Sequence, residues 1–210
     1  MSTSQEAQSV PAFKMRQLIR TAGAHLPPGL PPFLILTDPE RTPEPDALAR
    51  GLPPGCGLIY RHFGARDAEK VARHLAEVCR AQSLVFLIGN DPQLALAVQA
   101  DGVHWPERRL KDAARWRSRL RLMTAAAHSA PAIRRARRAG TDAVLVSPVF
   151  PSRSKSAGAP IGSARFRSLA RSTALPVYGL GGVNLVNARR IAPFAGLSGI
   201  DLGEKLTPRT

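Results

Sequence analysis

The sequence predicts an α/β protein: a compact (β/α)8 TIM barrel that lacks a full eighth helix and carries an N-terminal helical extension. Three observations predict it. Eight short apolar runs recur along the chain, helical segments separate them, and no Gly-rich dinucleotide fingerprint follows the first run. Eight alternating units suit a closed barrel, and the missing fingerprint counts against the competing open, doubly wound sheet.

The apolar runs are FLILT (33–37), GLIYR (57–61), LVFLIG (84–89), GVHW (102–105), LMTAAA (122–127), AVLVS (143–147), PVYGLG (176–181) and SGIDL (198–202). Each is apolar on both faces, as strands buried on both sides of a parallel sheet must be. Between them, ARDAEKVARHLAEVCRAQ places apolar residues at 71, 72, 75, 76, 78 and 79, one stripe of a helix. APAIRRARRAG ends on Gly140, which suits a helix C-cap. GSARFRSLARS offers Ser163 as an N-cap.

At 210 residues the chain is short for this barrel, which typically takes ~250 residues. It stops soon after the eighth strand, leaving no room for a normal eighth helix. The wall beside the first and eighth strands would then lie open. PAFKMRQLIRTAGAHL, apolar at 12, 15, 18 and 19, is expected to form a helix that covers it; a second subunit, in a homodimer, is the other way to do so. The expected organisation is an N-terminal extension over 1–32, one barrel domain over 33–206 and a tail over 207–210.

Hydrophobic residues make up 44% of the chain but aromatics only 5%, so aliphatic packing must dominate the core. The formal charge is +15, and between Pro106 and Gly140 eleven Lys or Arg face two acids, Glu107 and Asp112. Such runs are usually solvated helix faces, and no zinc-finger spacing or aromatic-rich strand makes them a dedicated nucleic-acid module. Cys56 and Cys79 form no CxxC pair and no disulfide framework, as expected in a reducing cytoplasm. No signal core and no run near the ~20 apolar residues of a membrane span is present.

In such barrels the chemistry sits at the C-terminal ends of the strands. Those ends are Tyr60-Arg61-His62, Gly89-Asn90-Asp91, His104, Ala127-His128-Ser129, the loop SPVFPSRSKSAGAPIG (147–162) with Arg153 and Lys155, Gly179-Leu180-Gly181-Gly182, and Gly203-Glu204-Lys205. Two cations and several hydroxyls held between prolines suit an anion. Gly181 and Gly182 let backbone N–H groups approach a ligand, and a helix after them would present its N-terminus to the same point, a phosphate seat.

The segments NDPQLALAVQADGVHW, TAAAHS, GTDAVLVSPVFPSRSK with APIG behind it, and PVYGLGGVNLVNA resemble, in order and spacing, the thiamine-phosphate synthase superfamily, which includes the thiazole tautomerases. The similarity runs roughly from 33 to 203. It implies an enzyme of thiamine biosynthesis that couples hydroxymethylpyrimidine diphosphate to thiazole phosphate, with Mg2+ holding the diphosphate that leaves. It implies a phosphorylated pyrimidine and a phosphorylated thiazole as partners. Asn90 and Asp91 match the family's Asn-Asp pair, making Asp91 the Mg2+ ligand. Arg61 matches the Arg of the strand-two motif Gln-Leu-Arg-Glu-Lys. Lys155 matches the Lys of the strand-six loop, with Ser152 and Ser154 where Thr is usual. Gly181 and Gly182 match the phosphate-side pair, and Asn187 the Asn behind it. His128 aligns with the His that tautomerases are thought to use for proton transfer; otherwise it bonds the backbone. His104 fits the barrel rim.

The departures from that pattern are several. Ile59 replaces the strand-two Gln, Phe63 its Lys, and Ala126 the strand-five Ser. Arg109 falls where the second acidic Mg2+ ligand is expected, a change of +2 in local charge, and it could grip the diphosphate directly. The resulting expectation is Arg61, His128 and Lys155 as catalytic residues, with Asn90, Arg109, Ser152, Ser154, Gly181 and Gly182 on the substrate. A tautomerase-like isomerase or a diverged phosphate-ligand binder are the alternatives.

Overall fold

The structure is a computed structural model that describes residues 3–152, 154 and 158–200. Eight parallel strands close into a barrel in chain order. They are β1 (Phe33–Leu36), β2 (Gly57–Tyr60), β3 (Val85–Gly89), β4 (Gly102–Trp105), β5 (Leu122–Ala127), β6 (Ala143–Val146), β7 (Val177–Gly179) and β8 (Gly196–Gly199). Closure runs through β1 and β8, where Leu34 pairs with Ser198.

Seven α-helices are described: α1 (Thr3–Gly23), α2 (Pro45–Gly51), α3 (Ala68–Ala81), α4 (Pro92–Ala97), α5 (Leu110–Ala113), α6 (Ala130–Arg138) and α7 (Gly162–Arg171). Alternation along each strand divides the core in two. Leu34, Leu36, Ile59, Leu87, Leu145 and Tyr178 fill the barrel interior. Phe33, Ile35, Leu58, Phe86, Val103 and Val144 face outward into the helix layer, among Leu75, Cys79 and Phe166. Both cysteines are free and buried, and burial pushes each thiol up to about 12.

The N-terminal helix packs on β8 and β1, burying Met15, Ile19 and Ala22. This is the wall expected to lie open, and α1 covers it from within the chain. No helix among the described residues is long and apolar enough to cross a membrane.

Four local expectations are corrected. The eighth strand is Gly196–Gly199 rather than 198–202. Its small residues fit because the Tyr178 ring lies where a Cβ on Gly196 would be, and Ser198 Oγ donates to the Gly179 carbonyl at 3.0 Å. Its end is therefore at Gly199-Ile200, and Gly203-Glu204-Lys205 lies outside the described residues. Ser163 is not a cap: α7 opens at Gly162 after Ile161 without a side-chain bond. Behind β7 no α-helix forms, only one 3-10 turn at Ala188–Arg190. The basic stretch after β4 is likewise broken, with α5 flanked by two 3-10 turns. Several of its charges are spent internally. Arg117 bonds Asp142 and the carbonyls of Gly140, Leu120 and Arg121; Arg121 pairs with Asp101 and Arg135 with Glu107.

Candidate active site

The C-terminal ends of the strands surround one open cavity of about 990 Å3. Of the residues expected at the site, Arg61, Asn90, Asp91, His128, Ser152, Ser154 and Gly181 line it. Leu36, Leu180 and Ile161 supply apolar wall. Lys155 and Arg153 lie outside the described residues.

Arg61 follows β2 and is fixed from below. Its Nε donates to the Thr37 carbonyl at 2.6 Å, and one terminal nitrogen reaches Asp38 Oδ2 at 3.2 Å. Burial lowers its pKa, while Asp38 works in the other direction. Burial alone would raise Asp38, but Arg41 and Arg61 bring it below its ordinary value. Phe63, 68% exposed, stacks on the guanidinium at 5.2 Å.

Asn90 takes a left-handed φ of +63°. Its N–H donates to the His104 carbonyl at 2.8 Å. Asp91 caps α4, with Oδ1 accepting the Leu94 N–H at 2.9 Å. Its Oδ2 lies 3.6 Å from His62 Nε2, beyond hydrogen-bond reach. His62 Nδ1 accepts the Gly64 N–H, so the ring proton sits on Nε2, toward the carboxylate.

His104 is buried on the cavity floor, its Nδ1 2.9 Å from Thr124 Oγ1. Burial, then the nearby Arg61 charge, pulls its pKa down to about 3; the ring is neutral near pH 7. His128 Nδ1 donates to the Ser147 carbonyl at 2.8 Å. That bond fixes the tautomer and leaves Nε2 as the basic nitrogen.

The β6 and β7 loops are zipped together. The Val149 N–H donates to the Leu180 carbonyl at 2.9 Å and the Phe150 N–H to the Gly181 carbonyl at 3.0 Å. Asn187 Nδ2 donates to the Gly182 carbonyl at 2.8 Å. Gly182 itself does not line the cavity. It lies against the carbonyls of Phe150 and Pro151, where a Cβ would collide, so its part is to bring the two loops together.

Arg109 is also corrected. It does not line the cavity. Its Nη1 donates to Asn90 O and Oδ1, both at 3.1 Å, its Nε donates to Asp112 at 2.9 Å, and the guanidinium lies over Trp105. It braces the Asn90 turn. Its neighbour Arg108 does line the cavity. Nothing in the sequence separates two adjacent arginines; only the 3-10 turn at Glu107–Arg109 does. His62, which carries no chemical signal in the sequence, also lines the cavity.

The donor set fits Mg2+ poorly. Mg2+ relies on carboxylates together with substrate phosphates. Asp91 is the only carboxylate among the described lining residues, and one of its oxygens is engaged as a helix cap. Among the described residues no group of three His, Cys, Asp or Glu side chains comes together as a metal site.

Fold and cavity together define a (β/α)8-barrel enzyme whose strand-end cavity is lined by cations, hydroxyls and a bare glycine turn, the equipment for an anionic ligand. The sequence profile of the thiamine monophosphate synthase family matches residues 36–204. The thiamine-phosphate synthase of Geobacillus thermodenitrificans (strain NG80-2) is 30% identical over 180 residues, covering 81% of this chain and 80% of that one. That of Myxococcus xanthus (strain DK1622) is 34% identical over 177 residues, covering 80% of each. The solved thiamine phosphate pyrophosphorylase from Pyrococcus furiosus shares the fold, with a TM-score of 0.72 at 22% identity, covering 83% of this chain and 91% of that one. The chain belongs to the thiamine monophosphate synthase family, a family of transferases in thiamine biosynthesis.

Proposed function

We propose that this chain is a thiamine-phosphate synthase that joins hydroxymethylpyrimidine diphosphate to thiazole phosphate with loss of diphosphate. The observation that carries the proposal is the convergence of Arg61, Asn90, His128, Ser152, Ser154 and Gly181, from five strand ends, on one cavity. At about 990 Å3 it has room for two small heterocycles.

In this reaction the bond between the pyrimidine methylene carbon and the diphosphate oxygen breaks, and its electron pair leaves with the diphosphate. The cationic methylene carbon then takes the lone pair of the thiazole nitrogen, forming the new C–N bond. Negative charge gathers on the departing oxygen, so fixed cations and N–H donors aimed there lower the barrier. Arg61 is suited to that role because Thr37 and Asp38 hold it in place before the substrate arrives. Ser152, Ser154 and the Gly181 turn would seat the phosphates, with Lys155 from the same loop. No protein proton has to move in the exchange.

A second function, a tautomerase-like isomerase, is favoured by one observation: with Nδ1 bonded to Ser147, His128 Nε2 has no protein partner among the described residues and is open to a ligand in the cavity. The two are told apart by giving the purified protein both phosphorylated substrates and by complementing a thiamine auxotroph that lacks the synthase. Coupling and growth are expected. Folded protein that neither couples nor complements would overturn the synthase assignment.

A further inference from the structure

Two features of the β3 and β4 ends are unexplained by the pattern the chain resembles. One is Arg109, standing where a second acidic metal ligand is expected. The other is Arg108, on which nothing has so far been placed.

Arg109 is fully engaged in holding the Asn90 turn. Its bonds to Asn90 O and Oδ1 and to Asp112 draw the turn against Trp105. Asn is among the few non-glycine residues that enter the left-handed region readily, and the Arg109 bonds hold it there. A metal bridging the β3 and β4 ends would also tie these two ends together; here a guanidinium does so. Arg108 is the reverse case. It is exposed, lines the cavity, and has no hydrogen-bond or ion-pair partner among the described residues. Arg61 follows β2 and Arg108 follows β4, the two strands beside β3, and both line the cavity together with Asn90 and Asp91 from the β3 end. Their two positive charges exceed the single negative charge of Asp91, the one carboxylate among the described lining residues. A planar fork of donors matches phosphate oxygens in a bidentate way, which a lone carboxylate cannot do without a cation between.

We propose that Arg108 is the principal diphosphate-binding cation of this chain, opposite Arg61, and that Arg109 braces the loop a second carboxylate would otherwise tether through metal, so that diphosphate binds without Mg2+. The inference rests on the synthase reading, which puts a diphosphate in the cavity.

The test is calorimetric titration of the full-length protein with inorganic diphosphate, once with EDTA and once with Mg2+, for the wild type and Arg108→Ala. Arg108 is exposed and unpaired, so the variant folds; circular dichroism checks this. Wild-type affinity is expected to agree within about threefold between the two buffers. Arg108→Ala is expected to weaken it by about tenfold or more in both, as for loss of a charge-assisted bidentate contact. Two results would overturn the inference while leaving the synthase reading intact: wild-type binding that appears only with Mg2+, or affinity unchanged by Arg108→Ala. Wild-type protein that binds diphosphate in neither buffer would instead sink the reading beneath it. As a second readout, Mn2+ titrated alone should keep its full free-ion paramagnetic resonance signal; stoichiometric loss of that signal would count against the proposal.

Discussion

The Nδ1 nitrogen of His128 lies 2.8 Å from the carbonyl oxygen of Ser147 on the neighbouring strand end. A carbonyl only accepts, so the proton is on Nδ1 and the lone pair on Nε2. If the reaction is the substitution proposed above, no proton passes through this ring. His128→Gln should then lower the coupling rate by less than about tenfold, mainly through KM. General acid–base catalysis is worth ~10²- to 10⁴-fold. A loss of that size in kcat, with a changed pH profile, would mark proton transfer as the slow step and move the chain to the isomerase reading.

His104 should make stability depend on pH. It is 8% exposed and stays neutral down to about pH 3 in the folded chain, against an ordinary value of 6.5. Above pH 6.5 both folded and unfolded states are neutral there, and the group adds no slope. Between 6.5 and about 3 the unfolded chain takes up a proton that the folded chain refuses, so stability falls as pH falls. The slope approaches ~1.4 kcal/mol per pH unit. His104→Gln loses the Thr124 contact and should melt lower at pH 7.5, yet its melting temperature should fall less steeply toward pH 4.5. Parallel curves for the two proteins would refute this.

The parts of the molecule that were legible in the sequence are those governed by local pattern. Runs of apolar residues such as Gly102–Trp105 and Leu122–Ala127 are strands over the residues read from the sequence, because a strand buried on both faces of a parallel sheet reads as a short, near-continuous apolar run. The eighth strand cannot be placed from local pattern because Gly196–Gly199 is small and only weakly apolar; what fixes it is Tyr178, a partner on the adjacent strand. At the cavity, the strand ends read from the sequence give lining residues such as Arg61, Asn90, His128 and Gly181, but the sequence does not give the directions of side chains. Arg109 and Arg108 differ by one residue in a 3-10 turn, and that turn decides which lines the cavity. Glycine permits close approach to a ligand, but at Gly182 the close approach is to Phe150 and Pro151.

Met15 is 1% exposed under α1, whereas Phe13 on the same helix is 65% exposed. If α1 closes the wall at β1 and β8, Met15→Ala should cost ~2–5 kcal/mol, as buried large-to-small changes do. At roughly 2–4 °C per kcal/mol for a chain this size, the melting temperature should fall by about 4–20 °C. Phe13→Ala should stay within ~0.5 kcal/mol of wild type. Deleting residues 1–24 should be worse than Met15→Ala. Thermal melts that rank Phe13 above Met15 would mean the helix seats differently.

Gly182 has φ +64°, and a Cβ there would come within 2.8 Å of the Phe150 carbonyl oxygen and closer still to that of Pro151. Gly182→Ala therefore meets two costs. Left-handed backbone is worth roughly 1–2 kcal/mol against a residue with a Cβ, and the collision is with backbone, which cannot rotate away. The β6 loop must retreat, loosening the Phe150-to-Gly181 hydrogen bond and shifting Ser152 and Ser154 from the cavity. Affinity for thiazole phosphate should drop by about tenfold, with a melting temperature several degrees lower. Gly158→Ala is the control for stability, because a Cβ at Gly158 meets nothing within 4 Å, and its melting temperature should match wild type. Should Gly182→Ala bind thiazole phosphate as tightly as wild type, the β6 and β7 loops would not be acting as a single phosphate seat.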